Sequence, residues 1–180
     1  MGMNDAELIA RVLDGHPEVF AVLVDRYYED CTRLSHRMLG NRQDAEDALQ
    51  ETFLRAYRGL GRYREQDAFR AWLYRILINQ CRTLAKRRQR RDHHFVHDPE
   101  AMESAAADAP EPRGEIRDAL QVSLDTLEPL LREAFLLKYG EGLDYQQMAS
   151  ITGSGVSALK MRVKRACERL RALLTEVERV

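Results

Sequence analysis

Apolar residues recur three and four positions apart along almost the whole of this 180-residue chain, and no sustained stretch alternates between apolar and polar residues. That period places the apolar side chains on one face of an α-helix, whereas alternation would indicate a β-strand. Glycine and proline interrupt the pattern at intervals of a few turns. The sequence therefore predicts an all-α fold made of several separate amphipathic helices.

Polar caps and glycines predict where the first helices begin and end. Asn4 or Asp5 can cap a first helix, and a second helix is expected over residues 17–39. Gly40 suits the stop of that second helix, because glycine adopts the left-handed backbone found just after many helices. Asn41 can then cap a third helix, whose first turn is acidic, as the helix dipole favours.

A fourth, longer helix is expected to follow a cap at Asp67 and to end in the basic run "KRRQRR", residues 86–91. Its core stripe is predicted to contain Phe69, Leu73, Ile76, Gln80 and Leu84. On the other side, spaced by four, three and four, lie Arg75, Asn79, Arg82 and Lys86. One or two positive charges at a helix end favour the dipole, but five in six residues repel one another. The run therefore favours a negatively charged partner over a merely solvated helix end.

Charge is distributed unevenly along the chain, although the formal net charge is only −1. Residues 1–52 carry 5 basic and 11 acidic side chains, whereas residues 53–92 carry 12 basic and 3 acidic ones. A concentrated basic block usually faces a polyanion such as nucleic acid. The opposite charges of the two segments also raise the hypothesis that the free protein masks its own basic helix.

Residues 92–113 differ from the rest in being rich in alanine, proline and acidic residues and poor in bulky apolar ones, which predicts a linker. It divides the chain into a domain at 1–91 and a second at 114–180. In the second domain Asp144 can cap a short helix, Gly153 can turn the chain, and a basic helix follows. Short helix, glycine turn and basic helix form the pattern of a helix-turn-helix.

The last helix has two distinct faces at 100° per residue. The face expected to join the core carries Leu159, Val163, Ala166, Leu170 and Leu173. The opposite face carries Ser157, Lys160, Met161, Lys164 and Arg165. Such a face can contact phosphates and reach base edges, although an ordinary amphipathic helix has the same two-sided pattern.

Surfaces on the fourth and third helices can each be interpreted either as a solvated helix face or as a binding site. The basic fourth helix has aromatic neighbours, namely Tyr57, Tyr63, Phe69, Trp72 and Tyr74. Basic residues interleaved with exposed rings suit unpaired nucleic acid, because bases stack on rings while the charges follow the backbone. Phe69 is assigned to the core, which leaves Trp72 as the better stacking candidate. The acidic third helix, "DAEDALQETFLRAY", is either a solvated surface or a protein-docking surface.

Neither catalytic residues nor a cofactor site is predicted. The chain lacks a phosphate-binding GxxxxGK[ST] loop, an HExxH helix and a GxSxG elbow. His93, His94 and His97 could bind a metal, but their polar surroundings favour a solvated loop, so no metal site is assigned. Three widely spaced cysteines favour free thiols. With no apolar run long enough to span a bilayer and no signal-like N-terminus, the protein is expected in the cytoplasm, without membrane insertion.

Three segments, taken in order, resemble the extracytoplasmic function group of bacterial RNA polymerase sigma factors. "DAEDALQETFLRAYRGL" is similar to the family's polymerase-binding helix, and "FRAWLYRILINQCRTLAKRRQRR" to its promoter-melting and minus-ten recognition helix. "LDYQQMASITGSGVSALKMRVKRACERLRALL" is similar to its minus-thirty-five helix-turn-helix. The resemblance covers nearly the whole chain apart from the linker. It implies a non-enzymatic protein that directs polymerase to promoters and helps to separate the strands.

The resemblance also implies partners and site residues. Docking on the clamp of the polymerase largest subunit is implied for Asp44, Asp47, Gln50, Glu51 and Phe53. The loop at 59–69 is implied to capture a base flipped from the minus-ten strand. Recognition and melting of the minus-ten element are implied for Arg62, Tyr63, Trp72, Arg75, Asn79, Arg82, Lys86, Arg87 and Arg88. Minus-thirty-five binding is implied for the polar and basic face of the last helix. The linker is expected to thread toward the RNA exit path. The polymerase flap and an anti-sigma factor are further implied partners.

Two other functions remain possible from the sequence. A stand-alone helix-turn-helix repressor or activator would use its front half for sensing or dimerisation and would bind operator DNA without polymerase. A polymerase-binding regulator that sequesters other factors would not read promoters at all. The turn "TGSG", residues 152–155, is more polar than the family's usual turn, which predicts a looser connection between the last two helices.

Overall fold

The computed structural model describes residues 2–64, 68–95 and 121–177, with side chains described except at 92–95 and 174–177. Throughout these ranges the regular elements are helices, and no strand occurs. Short 3₁₀ turns at Pro17–Val19 and Leu60–Arg62 precede α2 and follow α3. The first domain consists of α1 (Asp5–Leu13), α2 (Phe20–Leu39), α3 (Arg42–Gly59) and α4 (Phe69–Phe95).

The second domain combines three short helices with one long helix. It contains α5 (helical residues 121–125), α6 (Pro129–Phe135), α7 (Tyr145–Thr152) and α8 (Val156–Val177). A π-helical turn, Leu136–Gly140, continues α6. The prediction of an all-α chain with two helical domains, the second containing a helix-turn-helix, is confirmed.

Side-chain caps define where α1 and α7 begin. Asn4 Oδ1 accepts the N–H of Glu7 at 2.9 Å, and the Glu7 carboxylate accepts the N–H of Asn4 at 2.8 Å. Asp144 and Gln147 form the same reciprocal pair at the start of α7. Each such cap stabilises its helix by about 1 kcal/mol. Asn4 is therefore the cap of α1, and Asp5, the alternative, binds Arg26 instead.

Glycines with positive φ end α2 and α7. Gly40 has φ +62° and Gly153 has φ +70°, the left-handed region that other residues enter with strain. Gly40 is also a point of contact between the domains, since a Cβ there would lie 2.6 Å from Asp125 Oδ1. The end of α2 is thus shaped both by its own backbone and by the second domain.

Helix α4 forms the centre of the first domain, packing against α2 and α3. Within its predicted core stripe Phe69 and Leu73 are buried, as expected. Four further side chains of α4 outside that stripe are also buried, namely Tyr74, Leu77, Ile78 and Cys81. The buried surface is wider than the periodicity predicts, because the second domain covers α4 on another side, chiefly through α7.

Helix α4 continues to Phe95, past the predicted linker boundary at residue 92. The sequence offers no helix-breaking residue there before Pro99. The rest of the predicted linker, the expected cap Asp67 and His97 lie outside the described residues. Within the described ranges no helix combines the length and apolarity needed to cross a membrane, and no cluster of potential metal ligands is found.

The three cysteines differ in environment, which predicts different reactivity. Burial raises the pKa of Cys31 and of Cys81 to about 12, whereas Cys167 is partly exposed. Since only the thiolate reacts and burial also limits access of a reagent, both buried thiols are expected to react slowly at pH 8. We expect one thiol per chain to react quickly with an aromatic disulfide reagent, and all three after denaturation. Rapid reaction of more than one in the native protein would contradict the burial of these two side chains.

Candidate functional site

The acidic surface of α3 brings the five polymerase-binding candidates onto one helix. Asp47 and Gln50 are exposed, whereas Asp44, Glu51 and Phe53 are partly buried. The Asp44 carboxylate lies in the first turn of α3, where the helix dipole favours negative charge. Exposed acid and amide groups on a well-packed helix form a surface suited to a basic protein partner.

Apolar side chains extend this acidic surface. The Phe53 ring stacks with that of Tyr28, their centroids 6.4 Å apart and their planes 17° from parallel. Leu54 and Tyr57 on the same helix remain exposed by more than two fifths. Exposed apolar area next to polar and charged groups is a combination found in protein-protein interfaces.

Three aromatic rings cluster where α4 begins. The Tyr63 ring lies 5.3 Å from that of Trp72 and 5.8 Å from that of Phe69, and Phe69 lies 5.6 Å from Trp72. A Cβ at Gly59 would lie 3.3 Å from the indole, so the end of α3 also supports it. Trp72 is partly buried, so these neighbours hold its ring while part of the residue stays accessible.

Tyr74 is not available to nucleic acid. The sequence groups it with the rings next to the basic helix, but it is fully buried. Its hydroxyl donates a 2.6 Å hydrogen bond to Glu141, beyond the π-turn of the second domain. Burial, followed by this hydrogen bond, raises the pKa of Tyr74 above its usual range. Tyr74 therefore holds the two domains together in this arrangement.

The predicted DNA-facing residues of the first domain differ in accessibility. Arg62, Asn79, Lys86, Arg87 and Arg88 are exposed, and Tyr63, Trp72, Arg75 and Arg82 are partly buried. The Arg88 guanidinium lies 3.9 Å from the Asp44 carboxylate, which joins the basic end of α4 to the start of α3. The C-terminal part of α4 is thus an open basic surface, whereas its middle part is covered.

Arg82 is covered because it binds Glu133 of α6. Its Nε and Nη2 atoms donate to the two carboxylate oxygens at 2.8 and 2.7 Å. This hydrogen bonding raises the pKa of Arg82 above its usual value. Both guanidinium Nη atoms also lie 3.4 Å from the carbonyl oxygen of Thr152. The arrangement is a bidentate ion pair between the domains.

The residues that join the domains were not identified from the sequence. Glu133 lies in a segment whose spacing predicts an ordinary amphipathic helix, and Glu141 follows the glycine expected to end it. Arg70 and Tyr74 have no distinctive spacing either. Among the residues that join the domains, Arg82 alone was a predicted site residue, because it lies on the polar side of the fourth helix with Arg75, Asn79 and Lys86. No local pattern indicates that a distant domain covers these positions.

The exposed face of α8 is the second candidate nucleic-acid surface. All five predicted residues, Ser157, Lys160, Met161, Lys164 and Arg165, are exposed. Lys160 lies over the ring of Tyr145 at 5.7 Å from its centroid, and Lys138 lies 4.9 Å from the same centroid. These cation–π contacts hold positive charge at the start of the helix-turn-helix.

The turn between α7 and α8 is tied by hydrogen bonds rather than loose, which corrects the prediction from its polar sequence. The Thr152 hydroxyl donates to the carbonyl of Met148 at 2.8 Å and accepts the N–H of Ser154 at 3.2 Å. Arg162 donates to the Ser154 hydroxyl at 2.9 Å. The polar side chains therefore take over the role that apolar packing would otherwise have in fixing α8.

Comparisons with known proteins agree with this arrangement. The sequence profile of Sigma-70 region 2 matches residues 23–91, and that of Sigma-70, region 4 matches residues 117–170. The RNA polymerase sigma-H factor of Pseudomonas aeruginosa is 33% identical, over 92% of this chain and 91% of that protein. The ECF RNA polymerase sigma-E factor of Haemophilus influenzae is 31% identical, over 92% and 93%. CnrH, solved in complex with the cytosolic domain of CnrY, superimposes with a TM-score of 0.71 and 25% identity over 96% of this chain and 97% of that one.

A two-domain helical chain with these matches belongs to the sigma-70 family of bacterial RNA polymerase sigma factors. Within that family it is a member of the extracytoplasmic function group, and its function is to direct RNA polymerase in transcription initiation. The family resemblance inferred from the three sequence motifs is confirmed. The alternatives of a stand-alone repressor and of a sequestering regulator are set aside.

Proposed function

We propose that the chain directs core polymerase to two-part promoters, with residues 1–91 acting at the minus-ten element and residues 114–180 at the minus-thirty-five element. The observation that carries the proposal is the pair of basic helix surfaces, on α4 and α8, that lie on different domains. Each surface alone contacts little DNA. Two weak sites on one chain bind together once polymerase fixes their separation.

In this proposal the acidic surface of α3 docks on the clamp of the polymerase largest subunit. Asp47 and Gln50 support it most directly, because both are exposed on the side of α3 that faces away from the core. The apolar margin formed by Leu54 and Tyr57 adds contact area next to the charges. The second domain is proposed to contact the flap, and an anti-sigma protein is a further proposed partner.

Strand separation is assigned to the surface between the aromatic cluster and the basic end of α4. A base flipped from the minus-ten strand would contact the aromatic cluster around Trp72, which is only partly buried. Arg62, Asn79 and the basic run of α4 would hold the strand's phosphates. Arg82 is assigned to the same strand and must leave Glu133 to reach it.

The chain performs no chemistry in this proposal. It acts by binding: its contacts with promoter DNA select the promoter and stabilise the opened duplex within the polymerase complex. No cofactor takes part, and the site of action is the cytoplasm, where polymerase meets the chromosome.

The proposal is tested by transcription with purified bacterial core polymerase on fragmented genomic DNA, with and without this protein, followed by sequencing of transcript starts. We expect new starts that share a two-part upstream element only when the protein is present. Matched reactions with an Asp47→Lys variant control for contaminating sigma factors. Identical starts with and without the protein would refute the proposal.

The α8 surface has its own quantitative prediction. Replacing Lys160 and Lys164 with alanine should lower the slope of log affinity against log salt by about two, because each phosphate contact contributes nearly one unit. The slope is measured by fluorescence anisotropy on a promoter duplex bound by the polymerase complex. Replacing Arg11, an exposed residue of α1, is the control. An unchanged slope in the double variant would mean that α8 does not face phosphate.

A further inference from the structure

Helix α8 carries a large apolar side chain on its basic face. Met161 is 50% exposed, whereas Leu159 and Val163, on the opposite face, are buried. A single exposed apolar residue is common on protein surfaces. Here, however, its neighbours on the face are polar or charged, and the face is the one assigned to promoter DNA. What Met161 can contact therefore depends on its position within that face.

Met161 lies inside the basic face rather than at its edge. At 100° per residue the five residues of this face span an arc of about 140°, bounded by Lys160 on one side and Arg165 on the other. Ser157, Met161 and Lys164 lie between them. A helix in the major groove turns its margins toward the phosphates and the middle of its face toward the base edges. The middle of this face, where Met161 lies, is therefore the part that meets the bases.

Met161 is also close to the end of α8 that enters the groove. It is the sixth residue of a helix that begins at Val156, about 7.5 Å along the axis. In helix-turn-helix proteins the N-terminal residues of the second helix contact the base edges. Lys164 lies almost a turn further on, and its ammonium group is 3.8 Å from the Glu168 carboxylate. Met161 is thus the apolar side chain of the basic face that is placed to reach a base.

The backbone that carries Met161 is held by the turn before α8. Arg162, the next residue, donates a 2.9 Å hydrogen bond to the hydroxyl of Ser154. The N–H of Ser154 donates in turn to the Thr152 hydroxyl at 3.2 Å. On the other side of the helix Leu159 is fully buried in the core. These contacts fix the rotation of α8 about its axis, and with it the outward direction of Met161.

The chemistry of the thioether limits what Met161 can recognise. It donates no hydrogen bond and accepts one only weakly, so the polar groups of the base edges offer it little. Among the groups that the four bases present in the major groove, the C5-methyl of thymine is the apolar one. Contact between this methyl group and a methionine side chain removes apolar surface of both from water. The unbranched methionine side chain can also adjust its rotamer to the position of the methyl group.

We propose that Met161 is a specificity-determining residue: its side chain contacts the C5-methyl of one thymine in the minus-thirty-five element and selects a T·A pair there in a single orientation. The inference rests on the proposed function, because it takes the basic face of α8 to be the contact with that element. It adds a base preference to that function. The lysines of the face supply affinity through phosphates, and Met161 supplies discrimination between base pairs.

The test compares DNA with and without thymine methyl groups. Genomic fragments are amplified with either dTTP or dUTP, because deoxyuridine pairs as thymidine does but lacks the methyl group. Core polymerase carrying the full chain selects fragments from each library, and sequencing gives the base preference at each position of the upstream element. We expect one position to show a thymine preference that falls about fourfold in the uracil library, the ratio that corresponds to burial of one methyl group.

Substitutions at Met161 test whether this residue reads the methyl group. In Met161→Ala the preference at that position should be equally weak in both libraries. Met161→Leu keeps an apolar side chain of similar size and should retain the difference between the libraries. The matched control is Val122→Ala, which shortens an exposed apolar residue of α5 and should behave as the wild type. Effects of uracil in the minus-ten element should be the same in the wild type and in Met161→Ala.

The possible outcomes distinguish the inference from the proposed function. An enriched upstream element with equal preferences in the two libraries would overturn the inference, because no thymine methyl would be read. A difference that persists in Met161→Ala would also overturn it, because another residue would read the methyl group. If the wild-type chain enriches no common upstream element, the proposed function fails and the inference that rests on it fails as well.

Discussion

Reversing the charge of Asp47 to lysine is expected to weaken binding to core polymerase by about a hundredfold. Asp47 is exposed near the start of α3, in the middle of the acidic surface assigned to the clamp. A like charge placed against a basic partner costs several kcal/mol, far more than the loss of one exposed ion pair. The measurement is the dissociation constant for immobilised core polymerase at fixed salt, by biolayer interferometry.

The control for Asp47→Lys is Asp14→Lys, which makes the same change at an exposed position just after α1. It alters the net charge equally but lies outside the proposed docking surface. Equal losses in the two variants would indicate long-range electrostatics rather than docking by α3. No loss in the Asp47→Lys variant would place the clamp contact elsewhere on the chain.

The second large effect is on stability. Leu77 of α4 is 0% exposed, and truncation to alanine leaves a cavity between closely packed helices. Leu77→Ala is therefore expected to lower the free energy of unfolding by about 3 kcal/mol, measured by urea denaturation of the whole chain. Leu13→Ala is the matched control, because Leu13 is 56% exposed, and it should change stability by less than about 0.5 kcal/mol. Similar losses in the two variants would contradict the packing around α4.

Features set by neighbouring residues could be predicted from the sequence. The caps at Asn4, Asn41 and Asp144 each bond a backbone N–H two or three residues ahead, so their partners lie within one turn. The stops at Gly40 and Gly153 depend on the backbone of a single residue. The two faces of α8 follow from the 100° period, because this helix buries one side only.

Features set by distant residues could not be predicted. Helix α4 is covered on two sides, so the same period that describes α8 misses the burial of Tyr74 and Cys81. Glu133 and Glu141 pair with residues 51 to 71 positions away, across the segment predicted as the linker. The acidic segment at 1–52 suggested masking through net charge alone, but charge does not say which carboxylate meets which guanidinium. That choice depends on how the domains pack.

The last turn of α2 belongs to both domains. Arg132 of α6 donates to the carbonyl of Met38 at 3.0 Å and pairs with Asp125 at the same distance, while Asp125 lies where a side chain at position 40 would extend. A helix end is usually completed by residues within one turn, but this one is completed by an arginine 94 positions later in the chain. The Met38 carbonyl is therefore hydrogen-bonded by a side chain, and the space beside Gly40 filled, because the second domain lies against this helix end. The structure of the C-terminal end of α2 therefore depends on the packing of the second domain against it.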